Sequence, residues 1–218
     1  MNYDSVPLRD FKELNDWETV IFVYQSALKQ VETKIDILNG EFQHRHKYNP
    51  IEHVKSRIKT PESIVKKLKR HGYESSIENM VRYVNDIAGI RISCSFTSDI
   101  YLIADMISKQ NDLTILARRD YMKNPKKSGY RSYHMLVTTP VFLSDSIIDT
   151  KVEIQIRTVA QDFWATLEHK MHYKFEGDGP DYITKELREC ARYVAELDTR
   201  MEELNKEIQK YGKLSDKK

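Results

Sequence analysis

Lys151-Val152-Glu153-Ile154-Gln155-Ile156-Arg157 alternates apolar and polar residues, the period of a β-strand. Val152, Ile154 and Ile156 share one face; Lys151, Glu153, Gln155 and Arg157 share the other. A carboxylate in the middle of a polar face is poor material for a plain solvent-facing strand, which favours Thr or Val. Glu153 is therefore a candidate for chemistry, with cross-strand ion pairing as the plainer alternative.

Working outward, Gly89 to Phe96 alternates in the same way. Ile90, Ile92, Cys94 and Phe96 lie on one side; Arg91, Ser93 and Ser95 lie on the other. Ser98 is expected to cap a helix through about Gln110, followed by a strand over Leu113 to Ala117 and another over His134 to Thr139. Upstream, Val54 to Lys59 reads as a strand. Thr60-Pro61-Glu62-Ser63 reads as a helix start with Thr as cap and Pro at the first position, the helix ending near Gly72. A short helix follows over Ile77 to Tyr83. From Trp17 the stripe Val20, Ile21, Tyr24, Leu28, Val31, Ile35, Leu38, Phe42 marks one long amphipathic helix, with Asn15 and Glu18 as its capping pair. A last helix begins after Thr158. The sum is one α/β (α+β) domain, a mixed sheet of roughly five strands flanked by helices.

The tail carries Ile183, Leu187, Cys190, Val194, Leu197, Met201, Leu204 and Ile208 in steps of four and three, a heptad seam. Packing back on the domain and a subunit interface both fit it. The expected organisation is a loose segment 1–14, a helix 15–48, a core 49–178, a heptad helix 179–211 and a disordered tail 212–218.

The 218 residues are 40% hydrophobic and 31% charged, a globular balance; seven Gly and six Pro argue against long linkers. No run of about 18 apolar residues is present to span a membrane, and no secretory signal is visible, so a cytoplasmic protein is expected. Cys94 and Cys190 have no partner at metal-ligand spacing and read as reduced, buried thiols. The net charge is only +2, but seven Lys or Arg face a single acid, Glu62, between Lys55 and Arg70. Such a cluster suggests a local anion site or a solvated basic face.

Three constellations follow. Arg57 and Lys59 share a strand face, and Ser63, Lys67 and Arg70 share a helix face whose N-terminus adds free N–H groups, together suited to a polyphosphate. Asp86 and Glu153 could hold Mg²⁺ on nucleotide phosphates or simply form salt bridges. The loop Lys126-Lys127-Ser128-Gly129-Tyr130-Arg131 offers a ring beside several cations, a base-stacking platform or a core Tyr. No Walker A loop or Gly-x-Gly-x-x-Gly occurs.

In order, Arg57-Ile58-Lys59 with Ser63 and Lys67, Asp86-Ile87-Ala88-Gly89-Ile90-Arg91, Gly129-Tyr130-Arg131-Ser132-Tyr133-His134 and Glu153-Ile154-Gln155-Ile156-Arg157-Thr158 resemble the synthetase domain of the RelA/SpoT family. The run Phe163-Trp164-Ala165-Thr166-Leu167-Glu168-His169 is similar to the single-domain small alarmone synthetases. The resemblance implies a nucleotidyltransferase-like fold. It implies transfer of the β,γ-pyrophosphate of ATP to the 3′-hydroxyl of GDP or GTP, giving ppGpp or pppGpp and AMP with Mg²⁺. It places Arg57 and Arg91 around adenine, and Lys59, Ser63, Lys67 and Arg70 around the phosphates. Asp86 and Glu153 fall at the metal, Glu153 also near the 3′-hydroxyl, and Tyr130 on guanine. Arg119, Lys127, His134 and Gln155 fall on the acceptor side. It also implies synthesis without hydrolysis, since no His-Asp dipeptide occurs, a homotetramer through terminal helices, and room for a regulatory RNA contact. Two rivals stand beside it. An AMP-transferring nucleotidyltransferase would want carboxylates two residues apart, yet Ala88 and Gln155 occupy those positions. A non-catalytic RNA-binding module would use the basic patch and the Tyr130 loop.

Overall fold

The computed structural model describes residues 16–174 and 181–215. Helix α1 (Trp17–His46) leads to β1 (Ile51–Ile58), α2 (Pro61–Arg70), α3 (Ile77–Tyr83) and β2 (Ala88–Cys94). Then come α4 (Thr97–Ser108), β3 (Thr114–Asp120), β4 (Tyr133–Phe142), β5 (Ile147–Thr158), α5 (Val159–Lys174) and α6 (Asp181–Ser215). The strands form one mixed five-stranded sheet in the order β1-β2-β5-β4-β3. β2 and β5 run parallel; the pairs β1–β2, β4–β5 and β3–β4 are antiparallel.

The apolar side of the alternation makes the core. Ile90 and Ile92 of β2, Val152, Ile154 and Ile156 of β5, and Met135 and Val137 of β4 are all buried, in one cluster with residues of α1 and α4. Each such side chain contributes about 1.5–3 kcal/mol by leaving water. On α1 the expected stripe is buried at Val20, Tyr24, Leu28, Val31 and Ile35, and Val23 and Ala27 widen it. Among the described residues no helix is long and apolar enough to cross a membrane.

Several local expectations are corrected. The cap of α1 is Asp16, whose carboxylate accepts from Glu18 N at 3.2 Å and Thr19 N at 2.8 Å; Asn15 lies outside the described residues. Ser98 does not cap α4, because Phe96 occupies the cap position and its N–H donates to Asp99 Oδ2 at 3.1 Å. Ser98 instead donates its N–H and hydroxyl to Glu202 of α6. β1 begins at Ile51, three residues earlier than expected, and Lys59 falls just past its end. Cys94 is buried as expected, but Cys190 is exposed. The segment 1–14, named as loose, lies outside the described residues, as does the junction 175–180; of the tail 212–218, expected to be disordered, the part up to Ser215 continues α6 and 216–218 lies outside the described residues.

α6 meets the domain through Val194 of the upper seam and through residues beside the seam. Trp164 Nε1 donates to Leu187 O at 2.9 Å, Ala191 is buried against Trp164 and Ala165, and Asp198 accepts from Thr158 Oγ1 and Gln161 Nε2 at 2.8 and 2.9 Å. The seam residues Leu197, Met201, Leu204 and Ile208 remain 48–69% exposed. Packing on the domain therefore does not account for the lower half of the seam.

Candidate active site

The polar side of the sheet collects the residues singled out from sequence. Register alone aligns them: Lys55, Arg91, Gln155, His134 and Arg119 are successive neighbours in one row across all five strands. In the row beside it Arg57, Gly89 and Glu153 are neighbours on β1, β2 and β5. Gly89 contributes no side chain, and a Cβ built there meets nothing within 4 Å. The result is a cleft of about 220 Å³ lined by Arg57, Asp86, Gly89, Arg91, Glu153 and Gln155 among others.

Asp86 lies in the turn between α3 and β2, not on a strand. The backbone bond from Lys59 N to Ile87 O, 2.8 Å, ties the end of β1 to that turn. Lys59 Nζ and Lys67 Nζ then each take one Asp86 oxygen, at 2.8 and 2.6 Å. Burial pushes the Asp86 carboxyl up, but the two ammonium groups outweigh it and hold it below the usual carboxylate range. Ser63 stays exposed in the first turn of α2, its hydroxyl accepting from Thr60 Oγ1 at 3.0 Å. Arg70, at the far end of α2, is exposed and takes no part in the Asp86 ion pairs. Lys151 is a residue that the motifs did not reveal. It is buried and donates to Arg82 O and Asn85 Oδ1, both at 3.0 Å, so it fastens the turn that presents Asp86. Burial pushes its pKa down to about 8.

On the other side of the cleft Glu153 stands 3.5 Å from His134 Nδ1 and accepts from Gln155 Nε2 at 2.9 Å. Burial pushes its pKa up; the His134 imidazole and the Gln155 amide more than offset this, so Glu153 sits below the usual range. His134 Nε2 in turn meets the Tyr130 hydroxyl at 2.9 Å. Tyr130 is half-buried and not the exposed platform expected from sequence. Lys126 Nζ lies 4.7 Å from its ring centroid and Arg157 Cζ 5.4 Å, while Tyr121 meets both Tyr130 and His134 edge-on. Lys127, like Lys126, is exposed on the loop. Arg119 is exposed on β3 beside His134. Behind the loop, Gly129 has φ +91°, and a Cβ there would stand 2.5 Å from Ala191 Cβ of α6.

Asp86 and Glu153 line one cleft, and two carboxylates completed by substrate phosphate oxygens are ordinary provision for Mg²⁺. These two are the residues that would hold the ion, although Lys59 and Lys67 take both Asp86 oxygens here. Phosphates entering the cleft would compete for the two lysines and release Asp86 oxygens for it.

Fold and cleft together define an α/β protein whose sheet face is arranged for phosphorylated ligands, with cations at one end and an aromatic loop at the other. Residues 56–178 match the model of the region found in RelA / SpoT proteins, and the chain belongs to that family. It is 45% identical over 195 residues to the GTP pyrophosphokinase YwaC of Bacillus subtilis, covering 89% of this chain and 93% of that protein. The crystal structure of small alarmone synthetase 2 from B. subtilis matches with a TM-score of 0.80 at 44% identity, over 88% of this chain and 99% of that one. Small alarmone synthetase 1 from the same organism, bound to its product pppGpp, matches at 0.82 with 34% identity, over 88% and 98%.

Proposed function

We propose that this chain is a GTP pyrophosphokinase that transfers the β,γ-pyrophosphate of ATP to the 3′-hydroxyl of GDP or GTP. The observation that carries the reading is Glu153 itself. It is a carboxylate kept ionised in mid-strand, with the cationic donor cleft on one side and the His134–Tyr130 pair on the other.

Arg57 and Arg91 flank the gap at Gly89 and would hold adenine between them. Lys59 and Lys67, with the N-terminus of α2 at Ser63, supply the positive charge that a triphosphate needs; Arg70 would add to it from the end of that helix. Tyr130 would stack on guanine, with His134, Gln155, Lys126 or Lys127, and Arg119 along the acceptor. Glu153 would take the proton of the 3′-hydroxyl as its oxygen bonds to the β-phosphorus. The bond from that phosphorus to the α–β bridging oxygen breaks, and AMP leaves with the electron pair. General base action contributes about 10²–10⁴-fold; positioning and charge neutralisation supply the remainder. Mg²⁺ held by Asp86 and Glu153 would spread the charge developing on the phosphates.

The proposal extends to synthesis without hydrolysis in the cytoplasm. It extends also to a homo-oligomer, a tetramer by family resemblance, with the exposed half of the α6 seam as a contact.

Purified protein incubated with ATP, GDP or GTP and Mg²⁺, with nucleotides resolved by anion exchange, tests the reading. AMP is expected in equal amount with a guanosine species carrying two added phosphates. Glu153→Gln is expected to slow this by about 10²-fold or more while both nucleotides still bind. Release of inorganic pyrophosphate in place of AMP would instead indicate AMP transfer.

A further inference from the structure

Asp162 and Arg157 have no part in the reaction as written, yet they join its two halves. Asp162 is in the first turn of α5, where the helix dipole favours a carboxylate. Its Oδ1 is buried and has no hydrogen-bond partner among the described residues. That oxygen stands 3.3 Å from Arg91 Nη1 and 3.7 Å from Arg157 Nη1. Arg91, 34% exposed, belongs to the donor cleft; Arg157, only 2% exposed, lies by the acceptor platform. Arg157 Nη2 donates to Gln155 Oε1 at 2.6 Å, and its guanidinium lies 5.4 Å from the Tyr130 ring. One carboxylate therefore serves a cation on each side of the site and is fully satisfied by neither.

We propose that Asp162 is a positioning residue that couples binding of the two nucleotides. The inference rests on the donor and acceptor placement given above. When a base stacks on Arg91, that guanidinium is drawn from Asp162 toward the ligand. The carboxylate then turns to Arg157, and in a buried site the ion pair tightens. Arg157 in turn fixes Gln155 and the Tyr130 ring, so the acceptor meets side chains already ordered. Reciprocity requires the acceptor to tighten donor binding by the same factor. A counter-ion needed only to fold a buried arginine would affect stability and leave this factor unchanged.

Calorimetric titration of α,β-methylene-ATP with and without saturating GDP measures the coupling. The wild-type chain is expected to bind the donor analogue about fivefold tighter or more when GDP is present. In Asp162→Asn each nucleotide still binds and the factor falls below about twofold, whereas Asp162→Glu, which keeps the charge, recovers part of it. A wild-type factor of one, or a wild-type factor retained in Asp162→Asn, overturns the proposal. Failure of either nucleotide to bind the wild type would instead sink the pyrophosphokinase reading. Should Asp162→Asn not fold, the wild type still decides. The Arg157 Nε–H resonance, identified by its loss in Arg157→Lys, is expected to shift on adding the donor analogue alone, and its standing still overturns the link.

Discussion

Gly89 lines the cleft and Gly129 lies behind it where the Tyr130 loop meets α6, and their missing side chains leave room for different things. At Gly89 the protein offers nothing within 4 Å of a built Cβ, so the space on that side of the cleft stays open. At Gly129 the space is taken by Ala191, and the positive φ adds a second demand for glycine. The proposed donor side is thus open and electrostatic, with lysines and arginines around a gap. The proposed acceptor side is packed, with Tyr130 held by cations, His134 and the helix behind the loop. One side is shaped for what enters and the other by what the chain has already folded against it.

The largest test of this contrast is Gly129→Ala. Overpacking against Ala191 and the left-handed backbone together are expected to cost about 2 kcal/mol or more, read as a lower denaturation midpoint and weaker guanosine nucleotide binding. Adding Ala191→Gly should return the part due to contact and leave the part due to φ. If the single variant is as stable as the parent, α6 is not what shapes the loop. Gly89→Ala should do the reverse, leaving stability within about 0.5 kcal/mol and weakening the ATP analogue about tenfold. Unchanged donor affinity there would mean that the gap at Gly89 is not the base pocket.

His134→Ala probes the packed side through pH. Glu153 is held below the usual carboxylate range by His134 and Gln155 against burial, which alone raises it. Removing the imidazole leaves burial less opposed, so the pKa rises. If the ionised form is the base, as proposed, the acid limb of the kcat/KM profile should move to higher pH. An unmoved or lower limb would separate His134 from Glu153. The smallest effect is expected for Lys126→Met, where loss of an exposed cation–π contact of about 0.5–1 kcal/mol raises the guanosine nucleotide KM about two- to fivefold.

Much of this was legible in the sequence where the signal is periodic. Alternation located β2 and β5 and assigned Arg91, Glu153 and Gln155 to the polar face, and Thr60-Pro61 fixed the start of α2. What escaped depends on phase or on distant elements. Asn15 and Asp16 can both cap, and Asp16 is the cap of the helix that forms. Asp162 is an ordinary first-turn acid in sequence, and its meeting with Arg91 and Arg157 exists only once β2 and β5 are paired. The seam of α6 was visible, but the contacts of Asp198 and Glu202 beside it were not, because their partners Thr158, Gln161 and Ser98 lie far away in the chain.

The parallel pairing of β2 with β5 carries a consequence for how the molecule comes into being. It sets Gly89 beside Glu153, segments far apart in the chain, and loop-closure entropy makes such contacts slow to form. During synthesis β2 can pair with β1 early, but its other edge waits until β5 emerges at the far end of the sheet segment, and Ile90 and Ile92 on its face lack their neighbours until then. Until then the chain presents an apolar strand edge, the kind of surface on which nascent proteins aggregate. A ribosome that stalls before Ile147 therefore leaves behind a sticky fragment whose cleft lacks the wall that Glu153 and Gln155 provide.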